Sequence, residues 1–368
     1  MIVMTGMHGN EPAGPRAGQR VLDRLESKGI ELRGRLVVFA GNLKALAEHT
    51  RFLDRDLNRQ WTPEKLVAIE NGANHAEAEE QRELLSAMRA ELDGIEGPVY
   101  FLDLHTTSAA SPPFLTVGDT LRNRAFARTF PLPLILGLEE QVDGALLEFL
   151  NNFGLITMGA EAGQHDCDGS VDRGEAILWW ALHSTGMAPQ ATNVTPYVEI
   201  LRETSRGVPS VVEVRYRHAI TEEDEFQMIP GFDNFAPVRK GEVVAHDRNG
   251  PVHAKETGLM LLPLYQGKGE DGFFIARPVR MFWLRLSSIL RRLRLDSVLP
   301  WLPGVHSSGA GRLELTIDTK IARWWPLDVL HLFGYRKQRV VGDALIVTRR
   351  AFDFDGPGKI RVWDPPGG

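Results

Sequence analysis

The chain has 368 residues, 43% of them hydrophobic and 24% charged, which is ordinary globular composition with length for two domains or one large core and an appendage. Its single cysteine, Cys167, excludes an internal disulfide framework and fits a reducing compartment. The net charge of −6 is unevenly spread: residues 279–368 hold 15 Lys+Arg against 8 Asp+Glu, and residues 1–278 hold 27 against 40.

The opening MIVMTGMHG lacks the basic flank and apolar length of a signal sequence, and no apolar run reaches the ~18 residues of a membrane span. A cytoplasmic, soluble protein is therefore expected. The chain begins directly in a strand-like run, as a start downstream of a first strand would. From there apolar runs alternate with helical patterns. IVMT is followed by a helix from about Glu11 to Ser27 closed by Gly29, then RLVVFAGN, then an acidic helix near His75 to Asp93. VYFLDLH, PFLTVG, LPLILG and LITMGAEAG continue the pattern, and SVDRGEAILWWALHSTG predicts a further helix ending at Gly186. Strands apolar on both faces, alternating with helices, imply an α/β layer structure with a largely parallel sheet.

Near residue 200 the texture changes. From VVEVRYRH to GFFIAR the runs are short, alternate with polar residues and are broken by turn signals such as RNG and ETG, which predicts a small β domain with the look of a barrel-sandwich. A third segment starts at Val279. The expected division is a catalytic α/β domain over 1–200, a β-rich domain over 201–278 and a C-terminal accessory segment over 279–368.

Chemistry concentrates in the first of these. In MHGNEP, His8 and Glu11 offer an imidazole and a carboxylate to a metal if the chain turns between them, and Gly9 is expected to make that turn cheap. A plainer account makes Glu11-Pro12 the first turn of a helix. A third ligand is found in VYFLDLHTT, where His105 ends a strand and Asp103 shares its face and can orient the ring. In RFLDRDLNR, Asn58 and Arg59 would make a receptor for a substrate carboxylate, since the guanidinium fork fits it bidentately. Two glutamates compete as the base. Glu161 lies at the end of a buried strand before a glycine, where a carboxylate is costly without a task; Glu213 shares a face with Arg215 and Arg217, the pattern of a half-exposed strand.

HGNEP, DLNR and DLHTT, in this order and spacing, resemble the succinylglutamate desuccinylase/aspartoacylase family, related to the zinc carboxypeptidases; the resemblance runs through EAGQH and PGFDNFAPVRKGE to PLYQGKGEDGFF, roughly residues 1–278. It implies a zinc-peptidase-like mixed sheet flanked by helices, followed by a small β domain. It also implies one Zn2+ per chain on His8, Glu11 and His105, a substrate carboxylate on Asn58 and Arg59, Arg51 turned to the scissile carbonyl, and Glu161 as the catalytic glutamate. The expected activity is hydrolysis of an amide bond in an N-acyl amino acid or related small amide. Alternatives are carboxypeptidase-like cleavage of a peptide end, or a non-catalytic binding protein on the same fold. No nucleic acid is expected as a partner, and a homo-oligomer is compatible.

Several motifs carry a blander account. GKGEDG fits a dinucleotide fingerprint but opens no helix, and His75-Ala-Glu77 lacks the paired cysteines of a zinc deaminase. Lys255 reads as a solvated turn residue rather than an attachment site. In VRMFWLRLSSILRRLRL, Phe282, Trp283, Leu286, Ile289, Leu290 and Leu293 form one helical stripe. That stripe is expected to pack against the protein or a second subunit, in preference to a membrane.

Overall fold

The computed structural model describes residues 1–307, 313–318, 327–341 and 344–363. Thirteen strands precede residue 279: β1 (Ile2–Thr5), β2 (Val37–Ala40), β3 (Tyr100–Thr107), β4 (Phe114–Thr116), β5 (Leu134–Leu136), β6 (Ile156–Gln164), β7 (Val211–Ala219), β8 (Gln227–Met228), β9 (Pro237–Val238), β10 (Val243–Asp247), β11 (Gly250–His253), β12 (Gly258–Leu261) and β13 (Asp271–Pro278). Ten of them form one mixed sheet in the order β2-β1-β3-β6-β4-β5-β7-β13-β12-β9. The β2-β1-β3-β6 end is parallel, whereas β4 runs against β6 and β13 against β7.

Alternation in β1 and β3 explains the layers. Val3, Leu102 and Leu104 face one core with the helices Ala13–Ser27 and Asp168–Ser184. Ile2, Met4 and Phe101 face a second core with the helices Ala76–Leu92 and Leu146–Asn152. A strand covered by helices on both faces must be apolar on both, which is why these segments read as continuous hydrophobic runs. Helix Ala13–Ser27 starts two residues after Glu11, which leaves that carboxylate in the turn before it. Among the described residues, no helix is long and apolar enough to cross a membrane.

Residues 201–278 are shared between the long sheet and a three-stranded sheet of order β11-β10-β8. We propose to keep the division at 200 and 278, because Met228, Val244, Val252, Met260 and Phe273 build a core of their own. The C-terminal segment adds β14 (Val305–Ser307), β15 (Glu314–Asp318), β16 (Tyr335–Val341) and β17 (Ala344–Arg349) in the order β14-β15-β17-β16. Its tail returns to the α/β layer, where Ile360, Val362 and Trp363 enter the second core. Each such apolar side chain contributes ~1.5–3 kcal/mol by leaving water.

Two expectations fail here. Glu213 is not half-exposed: the C-terminal segment covers it, and Arg336, Arg277 and His331 pair with its carboxylate at 2.9, 3.0 and 3.2 Å. The helix Met281–Arg292 does pack on the protein, but through Leu284, Ser287 and Arg291, while most of the apolar stripe faces outward. Arg291 is wholly buried because Asp119 and Asp353 pair with it. Two fixed carboxylates outweigh the apolar stripe in choosing the inward face.

Candidate metal centre and cleft

The site forms where β1 and β3 end. Beyond β1, Gly6 takes a positive φ of 60° and turns the chain, and the Glu11 amide closes a tight turn onto the His8 carbonyl at 3.2 Å. Gly9 serves differently from the expectation. A Cβ there would lie 2.0 Å from the Ala45 backbone, so the glycine supplies space for close approach rather than the turn.

His8, Glu11 and His105 come together, with one donor atom of each within 4.8 Å of the others. His8 Nδ1 is 2.8 Å from Glu11 Oε1, and His105 Nδ1 is 3.0 Å from Glu11 Oε2. Each ring turns its other nitrogen to an outer carboxylate: His8 Nε2 to Asp56 at 3.1 Å, and His105 Nε2 to Asp103 at 3.1 Å. The Thr106 amide also donates to Glu11, at 3.0 Å. Two imidazoles oriented by carboxylates around a third carboxylate are a donor set suited to zinc.

The electrostatics say the same. Burial opposes charge on His105, yet Asp103 and Glu11 more than offset it and hold the imidazolium well above the usual histidine range. Burial likewise opposes charge on Glu11, and His8 and His105 overcome it, holding the carboxyl well below its ordinary range. The cluster thus draws a positive charge to its centre.

Sheet register places Glu161. It pairs with His105 across β3 and β6, and two residues earlier Asp103 pairs with Gly159. Neighbouring strands lie ~4.8 Å apart, so the Glu161 carboxyl stands beside the His105 ring. Burial, with Glu11 and Asp103 nearby, pushes its pKa up to about 8 despite His105 and Arg51, and its Oε2 has no hydrogen-bond partner among the described residues.

The RFLDRDLNR loop supplies the opposite wall. Arg51 donates to Asp56 at 3.0 Å, and another of its nitrogens lies 3.8 Å from Glu11. Asn58 accepts from the Leu146 amide at 3.0 Å through its carbonyl, which leaves its NH2 turned inward, 3.4 Å from His105 Nε2. Arg59 lines the same cleft, with its guanidinium paired to Asp271 at 3.1 Å. Burial works against that guanidinium, but Asp56, Asp271 and Glu270 outweigh it and raise its pKa.

All seven candidate residues line one cleft, and residues that the motifs do not single out hold them there. Asp56 joins His8 to Arg51 and caps Asn58, whose amide donates to it at 2.9 Å. Glu77, in a motif set aside as a decoy, is fully buried and accepts the backbone amides of Leu53, Asp54 and Arg55 at 2.6, 3.2 and 3.0 Å. It shapes the loop and is not among the residues that line the cleft. His165, quoted only within EAGQH, accepts or donates to Thr106 at 2.7 Å and faces Gln266 at 3.2 Å.

Leu264, Gln266, Gly269, Glu270 and Asp271, from the turn before β13, complete the cleft on the outer side. Gly159, Leu138, Val142 and Glu139 also line it. Thr116 donates to Glu139 at 3.2 Å; burial pushes that carboxyl up to about 7, and its second oxygen has no partner among the described residues.

Comparison with known proteins follows this geometry. The profile of the succinylglutamate desuccinylase/aspartoacylase catalytic domain matches residues 1–174. A probable aspartoacylase of Synechococcus sp. (strain CC9605) is 34% identical over 116 residues, 30% of this chain and 34% of that protein. The aspartoacylase of Danio rerio is 29% identical over 138 residues, 37% of this chain and 40% of that protein. The matches therefore span about a third to two fifths of these relatives. A solved succinylglutamate desuccinylase/aspartoacylase from Rhodobacter sphaeroides shares the fold, with a TM-score of 0.54 and 20% identity over 76% of this chain and 86% of its own.

Proposed function

Because this chain belongs to the succinylglutamate desuccinylase/aspartoacylase family through residues 1–174, we propose that it is a zinc-dependent amidohydrolase that deacylates an N-acyl amino acid or a related small amide. The observation that carries this reading is the His8, Glu11, His105 donor set with the Glu161 carboxyl beside it, whose Oε2 has no hydrogen-bond partner among the described residues. Zinc bound there supplies Lewis acidity, acidifying water and polarising a carbonyl.

The chain's own residues then have distinct tasks. Glu161 is the general base: it takes a proton from the attacking water and returns it to the leaving amine, and burial, by raising its proton affinity, favours that uptake. Arg51, held by Asp56, presents a fixed positive charge to the oxygen that becomes negative as the tetrahedral carbon forms. Asn58 and Arg59 receive the substrate carboxylate; Arg59 exchanges Asp271 for it without leaving the cleft.

Glu139 narrows the acyl group. A second carboxylate in the same buried pocket would repel it, so we assign the pocket an acyl chain that does not end in a carboxylate. The turn before β13 walls the cleft and supports a small amide over a peptide end. Metal analysis of the purified chain, followed by amine release from N-acyl amino acids with neutral and dicarboxylic acyl groups, tests all of this. Stoichiometric zinc and faster release from neutral acyl groups are expected; absence of a bound metal or of any amine release would refute the reading.

A further inference from the structure

The helix Met281–Arg292 is amphipathic in the reverse sense. Its inward residues include Ser287 and Arg291, both buried, the serine donating to the Leu332 carbonyl at 2.7 Å. Its outward line, at helical spacings of seven and four, is Phe282, Ile289 and Leu293, exposed to 63%, 54% and 65%. The 3-10 segment Leu295–Trp301 extends the patch with Val298 and with Trp301, which is 88% exposed. Arg285 and Arg292 border the line, exposed and without an ion-pair partner among the described residues. Ordinary surface helices do not turn phenylalanine, isoleucine and tryptophan outward in a contiguous patch.

We propose that this face seats on an anionic lipid bilayer, with the apolar line dipping into the headgroup boundary and the arginines at the phosphate level. The chemistry selects this occupant. Exposed aromatics beside arginine match the boundary between acyl chains and headgroups. The local charge adds direction: Arg280, Arg285, Arg292 and Arg294 are exposed and no acidic residue lies between 280 and 295, so this face is drawn to an anionic surface, whereas 27 Lys+Arg against 40 Asp+Glu over residues 1–278 turn the remainder away. A second copy of the chain fits poorly, because a two-fold contact on this face sets Arg285 and Arg292 against the same arginines of the partner. No spanning helix is needed for this attachment.

The test is sedimentation of the full chain with vesicles of phosphatidylcholine alone, or with about one third phosphatidylglycerol, beside size-exclusion profiles. Binding to the anionic vesicles only, released by salt, is expected. The double change Arg285→Ser with Arg292→Ser should lower partitioning roughly thirtyfold. The triple change Phe282→Ser, Ile289→Ser and Leu293→Ser should lower it more than about a hundredfold. Circular dichroism confirms that both variants fold, as expected for exposed positions. Failure of the native chain to bind anionic vesicles overturns the proposal, as does equal binding by the triple variant. A dimer that the triple variant dissolves, with no vesicle capture by either, assigns the face to self-association and likewise overturns it.

Discussion

Two buried clusters of charge lie in this molecule, and they are built to different ends. Around Asp119, the carboxylates of Asp119, Glu213 and Asp353 meet the guanidiniums of Arg124, Arg277, Arg291 and Arg336 and the ring of His331, so each carboxylate has its cationic partners within the chain. Around Glu11, the carboxyls of Glu11, Asp56, Asp103 and Glu161 meet the guanidinium of Arg51 and two histidines, with Arg59 also acting on Asp56, and Glu161 Oε2 has no hydrogen-bond partner among the described residues. The first cluster is complete and joins the C-terminal segment to the sheet. The second leaves a buried carboxyl oxygen unpartnered beside two imidazoles in a cleft, which a binding site uses and a purely structural cluster does not. Burial and ion pairing alone therefore do not mark a functional site; an unpartnered polar group lining a cleft does.

The largest expected effect follows from that difference. His105→Ala or His8→Ala should abolish bound metal and amine release while leaving circular dichroism and the melting profile close to native, since the sheet has two cores of its own. Stoichiometric metal in both variants would break the comparison.

Glu161→Gln sharpens it. Metal content should hold while kcat falls by at least ~10²–10⁴-fold, because the amide accepts no proton. Glu213→Gln should leave kcat near native, since its partners are Arg277, Arg336 and His331 rather than cleft residues. Reversed effects would exchange the roles of the two clusters.

In the Asp119 cluster the readout is stability. Arg291→Met leaves Asp353 and Asp119 facing one another with less compensation, and should cost about 3–5 kcal/mol in denaturant unfolding with metal content unchanged. Acid should act through Glu213. Burial opposes its charge, but His331 and Arg336 hold its carboxyl well below the unfolded value of ~4.3. A lowered folded pKa contributes stability that is fully present above about pH 4.3 and lost as pH falls towards the folded value. Unfolding curves of Glu213→Gln should accordingly show a flatter acid limb than those of the native chain.

The smallest effect concerns Arg59. Arg59→Lys keeps the charge near Asp271 but loses the fork, so KM should rise about tenfold for substrates with an α-carboxylate and little for the matching carboxamides. Equal rises would remove Arg59 from carboxylate recognition.

Much of the candidate site was legible because its donors sit in short motifs at strand ends. His8 and Glu11 are three residues apart, and His105 and Glu161 fall on two strands whose apolar runs read clearly. What secures them was not legible. Asp271 reaches Arg59 across 212 residues, and Glu77 reaches the amides of Leu53 to Arg55 from another helix. Such contacts depend on how elements meet, and a charged residue in a loop carries no local sign of its partner. In the third segment the runs LELTIDT and RVVGDALIVTRRAF have the composition of strands, and β15 falls in the first and β17 in the second. Trp324 and Trp325 lie outside the described residues.

By itself the sequence determined the alternation of strands and helices, the strands apolar on both faces, and the motif residues that the sheet's carboxyl edge gathers. These follow from local periodicity and from the need to bury apolar area. Tertiary structure decided which charges complete one another and which side of a helix faces in. The stripe from Phe282 to Leu293 was readable as an apolar face, yet periodicity defines a face without saying where the core lies. Asp119 and Asp353, 172 and 62 residues away from Arg291, draw that arginine inside and turn the stripe outward, because a paired buried charge needs its partners at fixed positions while an apolar side chain accepts any dry surface.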